Sequence, residues 1–227
     1  MTDMGKRKEE FLEAYRSRFA CKKFDTTKEV SKEDMEFIVE AGKLTPSSFG
    51  FDPWKFLVID NKDLKDKVFD TAPRIANAMK TADKVVVILA KNSSGLRYSS
   101  GYVNRILRDY QNLSDQEVKA VKEGYRKFQE RESSSVYDTM SIYHWSWRQS
   151  YLPLSTMITA ASQIGIATCP IEEYNEKQLE NMLEDYGVLN RNEYSVSVLL
   201  AVGYADPAIL KEGKTKKYRE DIIEWVE

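Results

Sequence analysis

The sequence has few of the residues that build metal centres and disulfide frameworks. Its 227 residues include two cysteines, Cys21 and Cys169, and one histidine, His144. The cysteines lie far apart in a chain that has no Cys-x-x-Cys motif, so zinc sites of ordinary spacing are excluded and both thiols are predicted to stay reduced. A catalytic pair of a cysteine and the histidine is possible in principle, but no local motif supports it.

Long apolar runs are also lacking. No stretch approaches the roughly 20 apolar residues that a membrane-spanning helix needs, and the charged residues 1–10 do not resemble the apolar core of a signal peptide. The formal net charge is only −2, so no overall basic field favours nucleic acid or an acidic membrane as a partner. We therefore expect a cytoplasmic protein that binds neither nucleic acids nor membranes.

The composition is that of one sizeable folded domain. Apolar residues make up 42% of the chain and charged residues 31%, as in ordinary globular proteins, and no repeat or Gly/Ser linker divides the sequence. Helical patterns outnumber the strand patterns at 54–59, 85–90 and 196–202, which irregular stretches separate. We predict one α+β domain over residues 1–227, with helices around a small sheet.

Several helices begin at residues suited to cap a first turn. A serine or asparagine satisfies free backbone N–H groups there, and an acidic residue or glutamine three positions later strengthens the pattern. Such N-caps are predicted at Ser31, Asn61, Ser114 and Asn175. Further helices are predicted at 6–16 and 73–82.

Residues 92–135 differ in character from the segments on either side: they are rich in charge and tyrosine, open with Asn-Ser-Ser-Gly and close with Glu-Ser-Ser-Ser. We predict an insertion with two regular helices that forms an exposed lid near a binding site. Tyr110 and Phe128, one on each helix, are our hypotheses for the lining of a substrate pocket. Trp145 and Trp147, beyond the insertion, are predicted to belong to the core.

Two apolar segments are predicted to require a second copy of the chain. Residues 138–164 should form one long helix, and its part at 154–164 is apolar or small around the whole circumference. The tail at 213–227 has no helical period but carries Ile222, Ile223, Trp225 and Val226. We expect neither segment to be buried within one subunit, so both should lie at the interface of a two-fold dimer.

Two polar segments flank the helix that follows Ser31. Arg18 and Lys22 offer cationic donors that suit a phosphate or a polarised carbonyl. The Pro-Ser-Ser segment at 46–48 offers short hydroxyl side chains ahead of Trp54. A solvated helix end would also account for the first segment, and an ordinary helix stop for the second.

Together with two later segments, these motifs resemble the flavin-dependent nitroreductase family. Arg-x-x-x-Lys-x-Phe-Asp at 18–25, Pro-Ser-Ser at 46–48, Pro-Trp at 53–54, Pro-Ile-Glu-Glu at 170–173 and Lys-x-Lys at 214–216 follow one another in the family's order. The resemblance implies an α+β fold with a small, mostly antiparallel sheet and a C-terminal tail swapped to the partner subunit. It also implies an obligate homodimer that binds FMN non-covalently and uses NAD(P)H as electron donor.

The resemblance further implies a cofactor site. Residues 18–22 would hold the FMN phosphate and ring edge, residues 46–48 would reach the flavin of the partner subunit, and the Glu173 backbone N–H would point at flavin N5. The cofactor-binding residues so implied are Arg18, Phe19, Ala20, Lys22, Pro46, Ser47, Ser48, Gly50, Pro170, Ile171, Glu172, Glu173, Lys214 and Lys216. No side chain is expected to act as a nucleophile.

Four positions depart from the family pattern. They are Ala20, Gly50, Ile75 and Glu173, where the family has serine, asparagine, asparagine and glycine. Arg74 or Asn77, close to Ile75, could replace the asparagine that is missing there.

The function implied is that of an oxidoreductase in which the cofactor carries the chemistry. Hydride would pass from NAD(P)H through flavin N5 to a nitroaromatic or quinone-type acceptor, in a ping-pong sequence. Two alternatives stay open. The same fold hosts dehalogenases and flavin-modifying enzymes, and the four departures are compatible with a carrier or sensor that binds flavin without turnover.

Overall fold

A computed structural model describes residues 3–132, 139–210 and 221–226 of the chain. Its helices are α1 (Asp3–Ser17), α2 (Lys32–Lys43), α3 (Lys62–Asp70), α4 (Ala76–Met79), α5 (Gly101–Arg105), α6 (Asp115–Glu132), α7 (Thr139–Gln163), α8 (Glu176–Asp185) and α9 (Pro207–Leu210). Its strands are β1 (Trp54–Ile59), β2 (Lys84–Lys91), β3 (Ala167–Ile171) and β4 (Tyr194–Gly203). None of the helices within these described ranges is long and apolar enough to cross a membrane.

The strands form one antiparallel sheet in the order β1-β2-β4-β3. The central strands β2 and β4 are the two continuous apolar runs of the sequence, as expected of strands covered on both faces. Alternate residues of β2 enter two core clusters: Val85 and Val87 on the side of α3 and α8, Val86 and Ile88 on the side of α2 and α7. The predicted α+β class with a small antiparallel sheet is confirmed.

Strand β3 was not predicted, because the strand patterns of the sequence were limited to 54–59, 85–90 and 196–202. Pro170 and Ile171 belong to this strand, with Pro170 opposite Leu200 and Ile171 opposite Leu199 of β4. Proline cannot donate to a sheet ladder, which confines it to edge strands, and β3 is an edge strand. Residues 172 and 173 follow directly after its end.

All four predicted N-caps are present. Ser31, Asn61 and Asn175 each accept a hydrogen bond from the backbone N–H three residues later, at 3.0, 2.9 and 3.0 Å. The Ser114 backbone N–H donates to the Glu117 carboxylate at 2.8 Å, which completes a capping box.

Two helix predictions were wrong in extent or type. The helix expected at 73–82 is reduced to α4, because the residues before it form turns, one of them closed by a 3.1 Å hydrogen bond from Ile75 N–H to the Ala72 carbonyl. The first helix of the insertion is regular only in α5 and continues as a π-helix over Ile106–Tyr110. Its wider turn changes which residues share a face.

The long helix α7 is buried less uniformly than predicted. Trp145 is 7% exposed, as expected for the core, but Trp147, Leu152 and Ile164 are 39%, 44% and 38% exposed. Within 154–164, Leu154, Met157, Ala160 and Ala161 are buried within this same chain, where the helix packs on α2 and β2. The burial of the remaining positions by a second copy stays a prediction.

The ends of the chain leave apolar side chains uncovered. On α1, Phe11 and Leu12 remain 46% and 45% exposed. In the tail, the four apolar side chains are 65–91% exposed. Lys214 and Lys216, which the resemblance implies to be cofactor-binding, lie outside the described residues.

Candidate functional site

The segment with Arg18 and Lys22 pairs with strand β3. The Cys21 backbone N–H donates to the Thr168 carbonyl at 3.0 Å, and Ala20 forms a parallel bridge with Thr168. These contacts place the first sequence motif beside the Pro-Ile-Glu-Glu motif, about 150 residues later in the chain. The segments at 18–22 and 170–173, which are far apart in the sequence, thus form one surface.

Arg18 carries an unsatisfied polar group on this surface. Its Nε is buried but has no hydrogen-bond partner among the described residues. The side chain lines a cavity of about 170 Å³ together with Phe19, Ser162, Gly165 and Thr168. A buried guanidinium donor is costly to leave without an acceptor, so the cavity suits an oxygen-rich anion.

The side chain of Lys22 lies beside the middle of strand β3, next to Cys169. Its Nζ is 3.5 Å from Cys169 Sγ, and the side chain is otherwise exposed. A thiol is a weak acceptor, so this contact does not satisfy the ammonium group. Burial raises the pKa of Cys169, an effect that the nearby Lys22 opposes. Lys22 is therefore available to a further anionic or carbonyl group.

The two glutamates that follow β3 have different partners. Tyr151 OH donates to Glu172 Oε1 at 2.7 Å. Glu173 Oε1 lies 2.8 Å from Arg74 Nε. Among the described residues, no acceptor is assigned to the Glu173 backbone N–H. That N–H, which the family resemblance directs at the cofactor, is thus free to donate to a ligand.

The Pro-Ser-Ser segment enters a short 3₁₀ turn whose two serines differ. Ser47 Oγ donates to Asp52 Oδ1 at 2.7 Å and accepts from the Asp52 backbone N–H at 2.8 Å. The Ser48 backbone N–H donates to Gln149 Oε1 at 2.9 Å, whereas its hydroxyl has no partner among the described residues. Ser47 therefore shapes the loop, and Ser48 offers the available hydroxyl.

Gly50, where the family resemblance implies asparagine, lies in a crowded turn. Its φ is +63°, and a Cβ at this position would lie 2.8 Å from Gln111 Nε2. That amide donates to the carbonyls of Phe49 and Gly50 at 2.9 and 3.0 Å. Tyr102 OH donates to the carbonyls of Phe51 and Asp52 at 2.8 and 3.0 Å. The insertion at 92–135 is thus hydrogen-bonded to the loop at 49–52, and Gln111 occupies the space that an asparagine side chain at position 50 would need.

The two polar segments contact opposite halves of α7. Ser48 bonds to Gln149, whereas Arg18 shares its cavity with Ser162. Gln149 and Ser162 are 13 positions apart, which corresponds to roughly 20 Å along a helix axis. Within one subunit, these segments therefore lie far apart.

The proposed pocket residues of the insertion occupy different environments. Phe128 belongs to an aromatic cluster with Phe49, Tyr125 and Trp145 and lines a cavity of about 160 Å³ beside α7. Tyr110 is the last residue of the π-helix and is 73% exposed. The structure does not bring the two together, and their role in a substrate pocket stays a prediction.

Neither thiol is arranged for catalysis. Cys21 and Cys169 are buried in the core, and burial raises the pKa of Cys21 to about 11. Among the described residues, no hydrogen bond joins either thiol to His144, which lines the cavity beside Phe128. No cluster of metal-ligating side chains was found in the same ranges.

A model of the nitroreductase family matches residues 15–204. The chain belongs to the nitroreductase family. It is 34% identical over 229 residues to "Putative NAD(P)H nitroreductase YfkO" of Bacillus subtilis, covering 98% of this chain and all of that protein. This nitroreductase resemblance spans the whole described architecture, and the family predicted from the motifs is confirmed.

Solved structures of nitroreductases show the same fold. A nitroreductase family protein of Streptococcus pneumoniae superposes with a TM-score of 0.74 at 21% identity, covering 95% of this chain and all of the other. A provisionally named nitroreductase of Exiguobacterium sibiricum, in complex with FMN, gives 0.71 at 22% identity, with coverage of 95% and 97%. At these identities, the likeness concerns the fold.

Sequence reasoning missed several residues that shape this candidate site. Gln111, Gln149 and Tyr151 each form a hydrogen bond to a predicted motif, but none of them stands in a recognisable motif of its own. Only Gly50 gave a signal, because a glycine in place of a larger residue indicates that another group approaches closely.

Proposed function

We propose that this nitroreductase-family chain is an FMN-dependent oxidoreductase that uses NAD(P)H to reduce a nitroaromatic or quinone-type acceptor. The observation that carries the proposal is the row of unsatisfied donors along β3: the buried Arg18 Nε, the Lys22 ammonium and the Glu173 backbone N–H. The name of the Bacillus subtilis relative supports NAD(P)H as the donor, and the FMN complex of a protein with the same fold supports the cofactor.

The donors fit the different parts of FMN. Arg18 faces a cavity and offers a planar cation, which suits the phosphate. Lys22 and the Glu173 N–H offer donors to the polar edge of a flat ring, where such groups tune the electronics of a flavin. When bound, FMN would supply the chemistry by accepting hydride at N5 and returning electrons to the acceptor. The residues of the chain would bind the cofactor and orient it.

We also propose that the site is completed by a second copy. The α7 residues beside Ser48 and Arg18, which are Gln149 and Ser162, lie roughly 20 Å apart along the helix, too far for the two segments to serve the same part of one cofactor within a subunit. In a two-fold dimer, Ser47 and Ser48 of one subunit would approach the cofactor held by Arg18 of the other. This arrangement requires dimer and cofactor site to depend on each other.

The C-terminal tail supports the same assembly. Trp225 and Val226 are 88% and 91% exposed, a cost that a partner surface would remove. A groove of about 1,190 Å³ lies between α2 and the edge strand β1, with Phe37 and Val58 49% and 42% exposed on its wall. We propose that the partner's tail lies in this groove, beside β1, which ends the sheet on this side.

The proposal is tested by spectroscopy of the purified protein followed by turnover. We expect a yellow protein with about one FMN per chain, by analogy with the family, that is bleached by NADH or NADPH and reoxidised by a quinone or nitroaromatic compound. A colourless protein that takes up no added FMN would refute the proposal. A yellow protein that NAD(P)H does not bleach would instead be a flavin carrier or sensor, and one that is bleached but reduces neither acceptor class would favour another reaction of this fold, such as dehalogenation.

A further inference from the structure

In the structure, one departure from the implied family pattern is paired with the neighbour of another. The resemblance implies glycine where Glu173 stands, and the Glu173 Oε1 lies 2.8 Å from the Nε of Arg74. Arg74 directly precedes Ile75, where the resemblance implies asparagine. Glu173, which offers a side chain where glycine has none, is therefore paired with Arg74, the residue next to the position where the asparagine is missing.

The backbone around Arg74 is fixed against the segment after β3. The Asn175 backbone N–H donates to the Thr71 carbonyl at 2.7 Å. Ile75 packs against the core cluster that contains Cys169, so it cannot supply the polar contact of an asparagine. Its neighbour Arg74 points outward, with 78% of its side chain exposed.

Stability does not account for this ion pair. The Arg74 and Glu173 side chains are 78% and 57% exposed, and pairs of such exposure contribute little to folding. The pair does hold the Arg74 guanidinium beside Glu173, at one end of the backbone stretch 169–173. Lys22 lies beside Cys169, at the other end. From Cys169 to Glu173 the backbone spans at most about 14 Å, a length comparable with a flat three-ring ligand. A cation therefore stands at each end of the backbone that would line the ring.

We propose that Arg74, positioned by the Glu173 carboxylate, is the cationic ligand of the flavin ring in this chain, in place of the asparagine missing at Ile75. The proposal rests on the proposed FMN function. Arg74 would contact the cofactor, and Glu173 would act through Arg74 by restricting the guanidinium to this position. Because reduced FMN carries more negative charge on its ring than oxidised FMN, a cation there favours the reduced form.

The test compares the affinities for oxidised and reduced FMN, measured anaerobically by titration of the cofactor-free protein, together with the midpoint potential of the bound flavin. Arg74→Ala should weaken the binding of reduced FMN relative to oxidised FMN by about tenfold and lower the potential, whereas Arg74→Lys should retain most of the preference. Lys62→Ala is a matched control, because Lys62 is also 78% exposed and paired with a carboxylate, Asp66 at 2.7 Å, on α3.

Glu173→Ala separates positioning from simple charge repulsion. If Glu173 positions Arg74, its loss should weaken the preference for reduced FMN in the otherwise unchanged protein. In the Arg74→Ala background the same substitution should strengthen that preference, since only a repelling carboxylate is then removed.

Two results would overturn the inference while the proposed function stands: an FMN-binding, NAD(P)H-oxidising protein in which Arg74→Ala behaves like Lys62→Ala, or one in which Glu173→Ala strengthens the preference in both backgrounds. A wild-type protein that binds no FMN would overturn the proposed function itself and, with it, this inference. Circular dichroism of each variant verifies that the fold is retained.

Discussion

The backbone N–H of Ser48 donates a 2.9 Å hydrogen bond to Gln149 Oε1, in the first half of α7. Arg18 lies at the other end of this helix, beside Ser162. One helix thus carries two parts of a predicted cofactor site and holds them apart. Because of this spacing, we propose that the complete site lies between two subunits. For single substitutions in the two segments, effects on cofactor binding can then be measured separately from effects on folding.

Arg18→Ala should weaken FMN binding without affecting the fold. The buried Nε has no partner in the described chain, so its removal costs the protein no hydrogen bond, whereas FMN would lose a charge-assisted contact of about 1.5–3 kcal/mol. Fluorescence titration of the cofactor-free protein with FMN measures the change. Arg16→Ala is the control, because Arg16 pairs with Glu9 on the exposed face of α1. Equal effects of the two substitutions would contradict the assignment of Arg18.

The adjacent serines should respond differently to alanine. Ser47→Ala removes two hydrogen bonds to Asp52 and should lower the free energy of unfolding by about 1–2 kcal/mol. Ser48→Ala leaves its backbone contact to Gln149 intact and should weaken FMN binding instead. Urea unfolding and FMN titration of both variants provide the comparison, and the reverse assignment of effects would show that the loop presents Ser47 to the cofactor.

Gly50→Ala should destabilise the protein by about 1–3 kcal/mol, because a non-glycine residue at positive φ is strained and the new Cβ would lie 2.8 Å from Gln111 Nε2. Gly124→Ala is the matched control. Gly124 lies inside α6 with open space around a built Cβ, so alanine there should stabilise by about 0.5–1 kcal/mol. Thermal unfolding of both variants tests whether the two changes in stability have opposite signs. If Gly50→Ala left the stability unchanged, the contact between Gln111 and the loop would not restrict position 50.

Truncation after Lys211 should abolish both dimer and yellow colour. It removes the exposed apolar tail together with Lys214 and Lys216, and an obligate interface of the expected kind exceeds about 2,000 Å². Trp225→Ala is the milder variant. Because Trp225 is 88% exposed within one chain, its loss should leave the subunit folded but weaken association and, with it, FMN binding. Sedimentation and flavin absorbance report the two properties, and a truncated chain that stays dimeric and yellow would refute the swapped tail.

Stability should fall in alkaline solution because of the buried thiol of Cys21. Burial raises the pKa of Cys21 from 9.0 to about 11, so above pH 9 the unfolded chain loses a proton that the folded chain retains. The stabilising contribution is complete below pH 9 and is lost as the pH rises through about 11. Urea unfolding at pH 8 to 11 should show a flatter pH dependence for Cys21→Ala. An unchanged slope would assign the effect to other groups.

The sequence by itself determined the elements that depend on local chemistry. The N-caps at Ser31, Asn61, Ser114 and Asn175 follow from side chains that bond to backbone groups three residues away. The apolar runs of β2 and β4 required burial on both faces wherever they lay. The order of the motifs was sufficient to identify the family.

Only the tertiary structure decided how distant segments meet. Strand β3 is held by β4 on one side and the segment with Cys21 on the other, and no local pattern around Pro170 indicates a strand. The π-turn at Ile106–Tyr110, the approach of Gln111 to Gly50 and the pairing of Arg74 with Glu173 depend in the same way on partners far away in the chain. Local propensity determines an element where its stabilising contacts are local; where they come from elsewhere, the packing of the whole chain determines it.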